Sequence, residues 1–253
     1  MFKEKKAESK NLQVLTFYEA LYKTDFKCAE EKYYDIISEL ISNVRGKRVL
    51  DVGFGRGEIL LRVHNKGGFP YGVEISEGAI NICRKVLHTA TLVLSPAESL
   101  PFKDNFFHMV ICSGTLEHFI GPEEALSEIW RVLKPSGTLF VVIPNSCWLG
   151  NIPKVLLFPL YAFVEVRCRK SGIASHQPIE RKYSFRFGKT FLEKSGFTIV
   201  KWIPYQRDIV LYQRKYFSIN KRFLSPKCVP AALCHHHIFI CKKSKKLGGS
   251  EDA

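Results

Sequence analysis

Residues 48–58 read RVLDVGFGRGE, and this stretch decides the fold. Arg48 to Gly53 is a short apolar run of strand length, and Gly53 to Gly57 a glycine loop. Glu58 to His64 then opens with helical periodicity. Glycines 53, 55 and 57 let backbone N–H groups and a ligand come close together. Alone, such a loop is a weak signal, but it lies between a predicted strand and a predicted helix. Pro70 to Ile75 (PYGVEI) reads as a second strand, and Glu74 near its end follows Gly53 by 21 residues. A carboxylate there can accept two hydrogen bonds from a ribose diol. Strand, loop, helix, strand and acid in this order point to a ligand containing a nucleoside.

Working outward, residues 12–43 read as helical, with Leu12, Leu15, Tyr18 and Leu21 near one face and residues 1–10 frayed. Downstream come a helix from Glu77 to about Leu87, strands at Thr91–Leu94 and Phe107–Ser113, and a helix at Pro122–Leu133. Lys134–Gly137 reads as a turn and Thr138–Ile143 as a fifth strand. Short apolar strands alternating with amphipathic helices predict a parallel sheet covered on both faces. After Pro144 the rhythm breaks into a long insert, followed by a helix at Lys189–Ser195 and strands at Phe197–Ile203 and His236–Cys241. The expected division is a helical segment (1–44), a nucleoside-binding core (45–145), a substrate-side insert (146–186), the rest of the sheet (187–243) and a polar tail (244–253).

Composition is that of a globular chain: 253 residues, 46% hydrophobic and 25% charged, which argues against wholesale disorder and fibrous repeats. The formal charge of +14 falls entirely in residues 151–253, because residues 1–150 balance. Such asymmetry suits an anionic substrate, a nucleic acid or a membrane surface, or simply a solvated basic face. The eight cysteines form no CxxC pair, and residues 1–10 lack the apolar run of a signal peptide. Reduced thiols in a cytoplasmic protein are expected. His235, His236 and His237 beside Cys228, Cys234 and Cys241 suggest zinc, but adjacent residues on a strand face opposite ways, so no metal is expected.

NAD and S-adenosylmethionine both suit the glycine loop. Asp51 inside the motif would repel a pyrophosphate but suits a cationic amino acid moiety. The segments VLDVGFGRGE, YGVEIS, SPAESLPFKDNFFHMV, ICSGTLEHF and IWRVLKPSGTLFVVIPN, in this order over about residues 45–145, resemble the class I S-adenosylmethionine-dependent methyltransferases. The resemblance is to the small-molecule branch that includes quinone-biosynthesis methyltransferases. It implies an α/β, Rossmann-like doubly wound sheet of seven strands with the last antiparallel, and S-adenosyl-L-methionine as cofactor. By resemblance, Gly53, Gly55 and Gly57 lie on the methionine and ribose side, and Asp51 holds the amino group. Glu74 binds the ribose hydroxyls, Ile75 packs on adenine, Ala97 and Glu98 edge the ring, and Ser113 and Leu116 lie near the methionine portion.

Methyl transfer from a sulfonium is an in-line displacement that depends on positioning and exclusion of water. A base is needed only when the acceptor must lose a proton. The loop Ser113–His118 lacks the Asn/Asp-Pro-Pro-aromatic sequence of many amino-group methyltransferases, so transfer to oxygen or carbon is expected. His118 is the first candidate base and His176, in the insert with Glu180 and Tyr183, the second. Some quinone methyltransferases of the family use a metal in this loop, but Gly114 stands where a further carboxylate would be expected. Residues 145–186 are expected to form a lid whose apolar run, Val155 to Val164, meets an apolar or lipid-like small acceptor. Arg167, Arg169 and Lys170 after it suit peripheral contact with an anionic membrane, the alternative being a lid packed on the protein itself. Two competing functions remain: a methyltransferase for RNA or protein that uses the basic C-terminal part, and a cofactor-binding scaffold without catalysis. Nucleic acid is disfavoured because no RNA-binding module is recognisable.

Overall fold

A computed structural model describes residues 2–24, 31–146, 178–181, 183–205 and 234–244. Seven strands form one sheet: β1 (Arg48–Val52), β2 (Phe69–Glu74), β3 (Thr91–Leu94), β4 (Phe107–Ser113), β5 (Leu133–Pro144), β6 (Phe197–Tyr205) and β7 (His236–Lys243). Their order is β3-β2-β1-β4-β5-β7-β6. The pairs among β1 to β5 are parallel, while β7 runs antiparallel to both β5 and β6. This is the seven-stranded Rossmann-like sheet, with its last strand antiparallel, that the sequence led us to expect.

The helices are α1 (Phe2–Leu21), α2 (Glu31–Leu40), α3 (Glu58–Asn65), α4 (Glu77–Val86), α5 (Pro122–Val132) and α6 (Phe185–Lys194). Central strands carry apolar side chains on both faces because helices cover both. On one face Leu50, Val52, Val110 and Val141 pack with Leu126 and Ile129 of α5. On the other, Val49, Ile111 and Phe140 pack with Ile37 of α2 and Ile59 and Val63 of α3. Strand order reverses between β1 and β4, so the loops at their C-terminal ends diverge and leave a crevice.

Several boundaries differ from those read in the sequence. The helical stretch expected over 12–43 is two helices, and α1 already begins at Phe2, where fraying was expected. Leu12 and Leu15 of the expected face are 64% and 40% exposed, whereas Val14 is buried, so the first half of the inward stripe of α1 differs from the expected one. The turn at Lys134–Gly137 lies within β5: pairing passes from Phe107–Leu133 to Met109–Thr138, which makes it a bulge. Helix α6 starts four residues before Lys189, because the Ser184 side chain accepts from the Phe187 N–H and caps it there. His176, Cys28, Cys147, Cys168, Cys228 and the apolar and basic runs of the insert lie outside the described residues. Among the described residues no helix is long and apolar enough to cross a membrane.

Candidate functional site

A cavity of about 210 Å³ occupies the crevice at the C-terminal ends of β1, β2 and β4. Asp51, Gly53, Gly55, Glu74, Ile75, Ala97, Glu98, Ser113 and His118 all line it. The fold thus gathers nearly all the residues singled out in the sequence. Gly57 and Leu116 are not among the lining residues. Gly57 has φ +88°, and a Cβ there would sit 2.3 Å from Cys83 Sγ, so its glycine lets α3 approach α4. Leu116 is 1% exposed and belongs to the core under β4.

The glycine loop is held from two sides. Gly53 has φ +72°, and a Cβ there would lie 2.6 Å from Thr115 Cγ2. The Thr115 hydroxyl donates to the Val52 carbonyl (3.0 Å), locking the β1 loop to the loop after β4. Glu74 receives the N–H of Gly55 on one oxygen (3.1 Å) and that of Ile75 on the other (2.8 Å). Its carboxylate thereby ties the loop to β2, and burial raises its proton affinity above the usual range. A carboxylate has about four lone-pair sites, so it can still accept from a ligand.

Asp51 is buried, and its Oδ2 has no hydrogen-bond partner among the described residues. Burial, with Glu74 and Glu58 nearby, raises its pKa well above the ordinary carboxylate value. Glu58 also lines the cavity. A buried, unpartnered carboxylate oxygen costs free energy that a cationic donor would offset. An amino acid moiety carrying an ammonium fits this corner, and Glu74 fits a ribose diol. The donor set therefore suits S-adenosylmethionine and does not suit a pyrophosphate.

At the other side, Glu98 accepts the Gly121 N–H at 2.9 Å and holds the loop before α5 against the cavity. The Ser113 hydroxyl lies 2.6 Å from that of Tyr33, which α2 supplies. His118 ends a single 3-10 turn, Leu116–His118. Its Nδ1 is 2.5 Å from the Ile179 carbonyl, which can only accept, so Nδ1 carries the proton and Nε2 keeps its lone pair. Burial lowers its pKa and keeps the ring neutral near neutral pH.

The sequence reading missed the contribution of α1. Val14, Tyr18, Leu21 and Tyr22 line the cavity from above. Their spacing is a helical stripe, the one signal that could have found them. Glu19 fastens this helix to the N-terminus of α4, accepting from the N–H groups of Glu77 (2.6 Å) and Gly78 (3.4 Å). Phe119 and Ile120 extend the apolar lining. Among the described residues no group of three metal-ligating side chains comes together. His237 is buried instead; Trp202 Nε1 donates to its Nδ1 at 3.3 Å, and burial pushes its pKa down to about 4.

A methyltransferase domain family matches residues 50–141, which includes every cavity-lining residue of the β1, β2 and β4 loops. The ubiquinone/menaquinone biosynthesis C-methyltransferase UbiE of Wigglesworthia glossinidia brevipalpis is 34% identical over 126 residues, 46% of this chain and 50% of the relative. The chain thus spans about half the length of that relative. The uncharacterized protein MJ1252 of Methanocaldococcus jannaschii is 30% identical over 73% of this chain and 76% of its own. A solved S-adenosylmethionine-dependent methyltransferase from Archaeoglobus fulgidus superimposes with a TM-score of 0.61, covering 88% of this chain and 98% of that one at 23% identity. Glycine loop, acidic corner, sheet order and these likenesses agree: residues 50–141 form a methyltransferase domain of the class I S-adenosylmethionine-dependent type.

Proposed function

We propose that the protein transfers a methyl group from S-adenosyl-L-methionine to an oxygen or carbon of a small, apolar or lipid-like acceptor. The observation that carries the cofactor is the unpartnered Asp51 oxygen in the same cavity as Glu74. When bound, S-adenosylmethionine supplies a methyl already activated on a sulfonium. Asp51 would hold its ammonium, Glu74 its ribose hydroxyls, and Ile75, Ala97 and Glu98 the adenine. The glycine loop admits the ligand against backbone N–H groups. Gly57 and Leu116 act behind the site, in packing.

Tyr18, Leu21, Phe119 and Ile120 support an apolar acceptor, because they exclude water from the space beside the cofactor corner. His118 supports general-base assistance: its Nδ1–H is fixed on the Ile179 carbonyl, which leaves Nε2 to take a proton from the acceptor. We propose peripheral membrane contact as one way a lipid-like acceptor is met.

Calorimetry tests the cofactor: S-adenosylmethionine and S-adenosylhomocysteine bind, and NAD does not compete. Incubation with methyl-labelled S-adenosylmethionine and fractionated cell extract tests the acceptor. Label is expected in the small-molecule or lipid fraction; label in RNA or protein overturns the acceptor class. Binding without label in any fraction would make the chain a non-catalytic scaffold. His118→Ala should lower kcat by roughly 10²-fold with cofactor affinity held.

A further inference from the structure

We infer that Glu117 is a positioning residue for His118, its carboxyl group standing beside Nε2 and, when ionised, stabilising the charge that forms when Nε2 accepts the acceptor's proton. This rests on the base role proposed for His118. Glu117 does not line the cavity; it sits one residue before His118 on the same turn, 4% exposed. Its Oε1 lies 3.7 Å from His118 Nε2, and its Oε2 has no hydrogen-bond partner among the described residues. At 3.7 Å the pair is too long for a hydrogen bond but within ion-pair reach once His118 is protonated; Glu180 and Arg181 also act on His118, with opposite signs.

The Glu117 backbone is held in place, since its carbonyl accepts the N–H of Arg181. The Arg181 guanidinium is committed to the carbonyls of Phe119 and Ile120 and makes no ion pair with Glu117. Among the described residues, the other titratable groups whose charge Glu117 feels or influences are Tyr33 of α2, Cys112 of β4, and Glu180 and Tyr183 beside α6. None of these supplies a cation. His118 is therefore the group that can become Glu117's counter-ion, and it does so only when it is protonated.

The step balances simply. The acceptor X–H gives its proton to the Nε2 lone pair, and the X electron pair takes the methyl. The imidazolium then faces Glu117, and water later removes the proton. Burial pushes the Glu117 carboxyl up to about 8, so at rest near neutral pH both partners are uncharged. As pH rises toward 8 the carboxylate appears, and His118 becomes a stronger base. Glu117 assists only in its ionised form, its own proton having gone to water beforehand, so the assistance grows as pH rises toward 8.

The test uses the full chain saturated with S-adenosylhomocysteine, so that no acceptor is required. The ring 15N resonances of His118, assigned by their loss in His118→Gln, are followed from about pH 5 to about pH 10. A response of Nε2 centred near pH 8 is expected in the wild type, and its disappearance in Glu117→Gln. An Nε2 curve unchanged by Glu117→Gln overturns the inference. Failure of S-adenosylhomocysteine to bind would instead overturn the proposed cofactor. With the acceptor fraction that takes up label, Glu117→Gln should lower kcat about 10-fold, leave cofactor affinity unchanged and flatten the rise in rate toward pH 8. A variant with wild-type kcat and pH profile sinks the idea, whereas a merely structural Glu117 would move the melting temperature and leave the profile's shape alone.

Discussion

The two ends of the cavity are built differently. At the glycine loop, Glu74 has both oxygens engaged by backbone N–H groups, and Thr115 locks β1 to the loop after β4. At the turn after β4, Glu117 keeps one oxygen unpartnered, and His118 is anchored only through Nδ1. The first end is rigid and preformed, as suits a ligand that is the same in every turnover. The second holds neutral groups that can exchange protons, as suits chemistry on an acceptor. The acids at both ends are held above their usual range by burial, but only those at the glycine loop face a corner that fits a permanent cation.

Breaking the preformed end should have the largest effect. Gly53→Val forces a branched side chain into φ +72° with its Cβ 2.6 Å from Thr115 Cγ2. A loss of about 3 kcal/mol or more in stability and no measurable S-adenosylmethionine binding are expected by denaturant unfolding and calorimetry. Asp51→Asn keeps the shape and removes the charge. It should weaken S-adenosylmethionine by about 1.5–3 kcal/mol, the worth of a charged hydrogen bond, with little change in fold. Tight binding by this variant would remove Asp51 from the ammonium site.

Glu74→Ala should weaken the same ligand by roughly 1–3 kcal/mol. It also releases Gly55 and Ile75, so crystallography of the variant should show the loop displaced; an unmoved loop with full affinity would deny Glu74 both roles.

The smallest effect sharpens the contrast through pH. A buried acid with a raised folded pKa stabilises the fold below its unfolded pKa, and that stability is lost as pH rises through the folded value. Glu117, raised from 4.5 to about 8, therefore destabilises the ligand-free protein progressively up to about pH 8. His118 and His237, whose pKa values are lowered from 6.5, act in the opposite sense below 6.5, while Asp51 and Glu74, raised by burial, act in the same sense as Glu117, so the difference between wild type and Glu117→Gln isolates its share. The melting temperature should fall across that window, and Glu117→Gln should flatten the fall. An equal slope in both proteins would show that Glu117 does not carry the titration.

How much was legible in advance follows the range of the interactions. Arg48–Glu58 announces strand, turn and helix because alternation of apolar residues and clustered glycines are local signals. The start of α6 was missed because capping by Ser184, five residues before Lys189, outweighs the apolar periodicity used to place the helix. Helix α1 was seen as a helix and Tyr18 and Leu21 of its expected face do line the cavity, but Leu12 and Leu15 are exposed and Val14 is buried, by virtue of what lies beneath.

The sequence by itself determined the parallel-sheet class, the glycine loop and the acid at the end of β2, because each is written in a few neighbouring residues or a fixed spacing. Only the tertiary structure decided that Gly57 serves the approach of α3 to α4, that Leu116 belongs to the core, and that α1 roofs the cavity. It alone set Glu117 beside His118 with, among the described residues, no Lys or Arg paired to it. The physical reason is that burial, and the loss of water that comes with it, belongs to a position in three dimensions. A carboxylate's charge depends on what surrounds it, and residues as far apart in the chain as Tyr33, Glu117 and Tyr183 become neighbours only when the sheet is assembled.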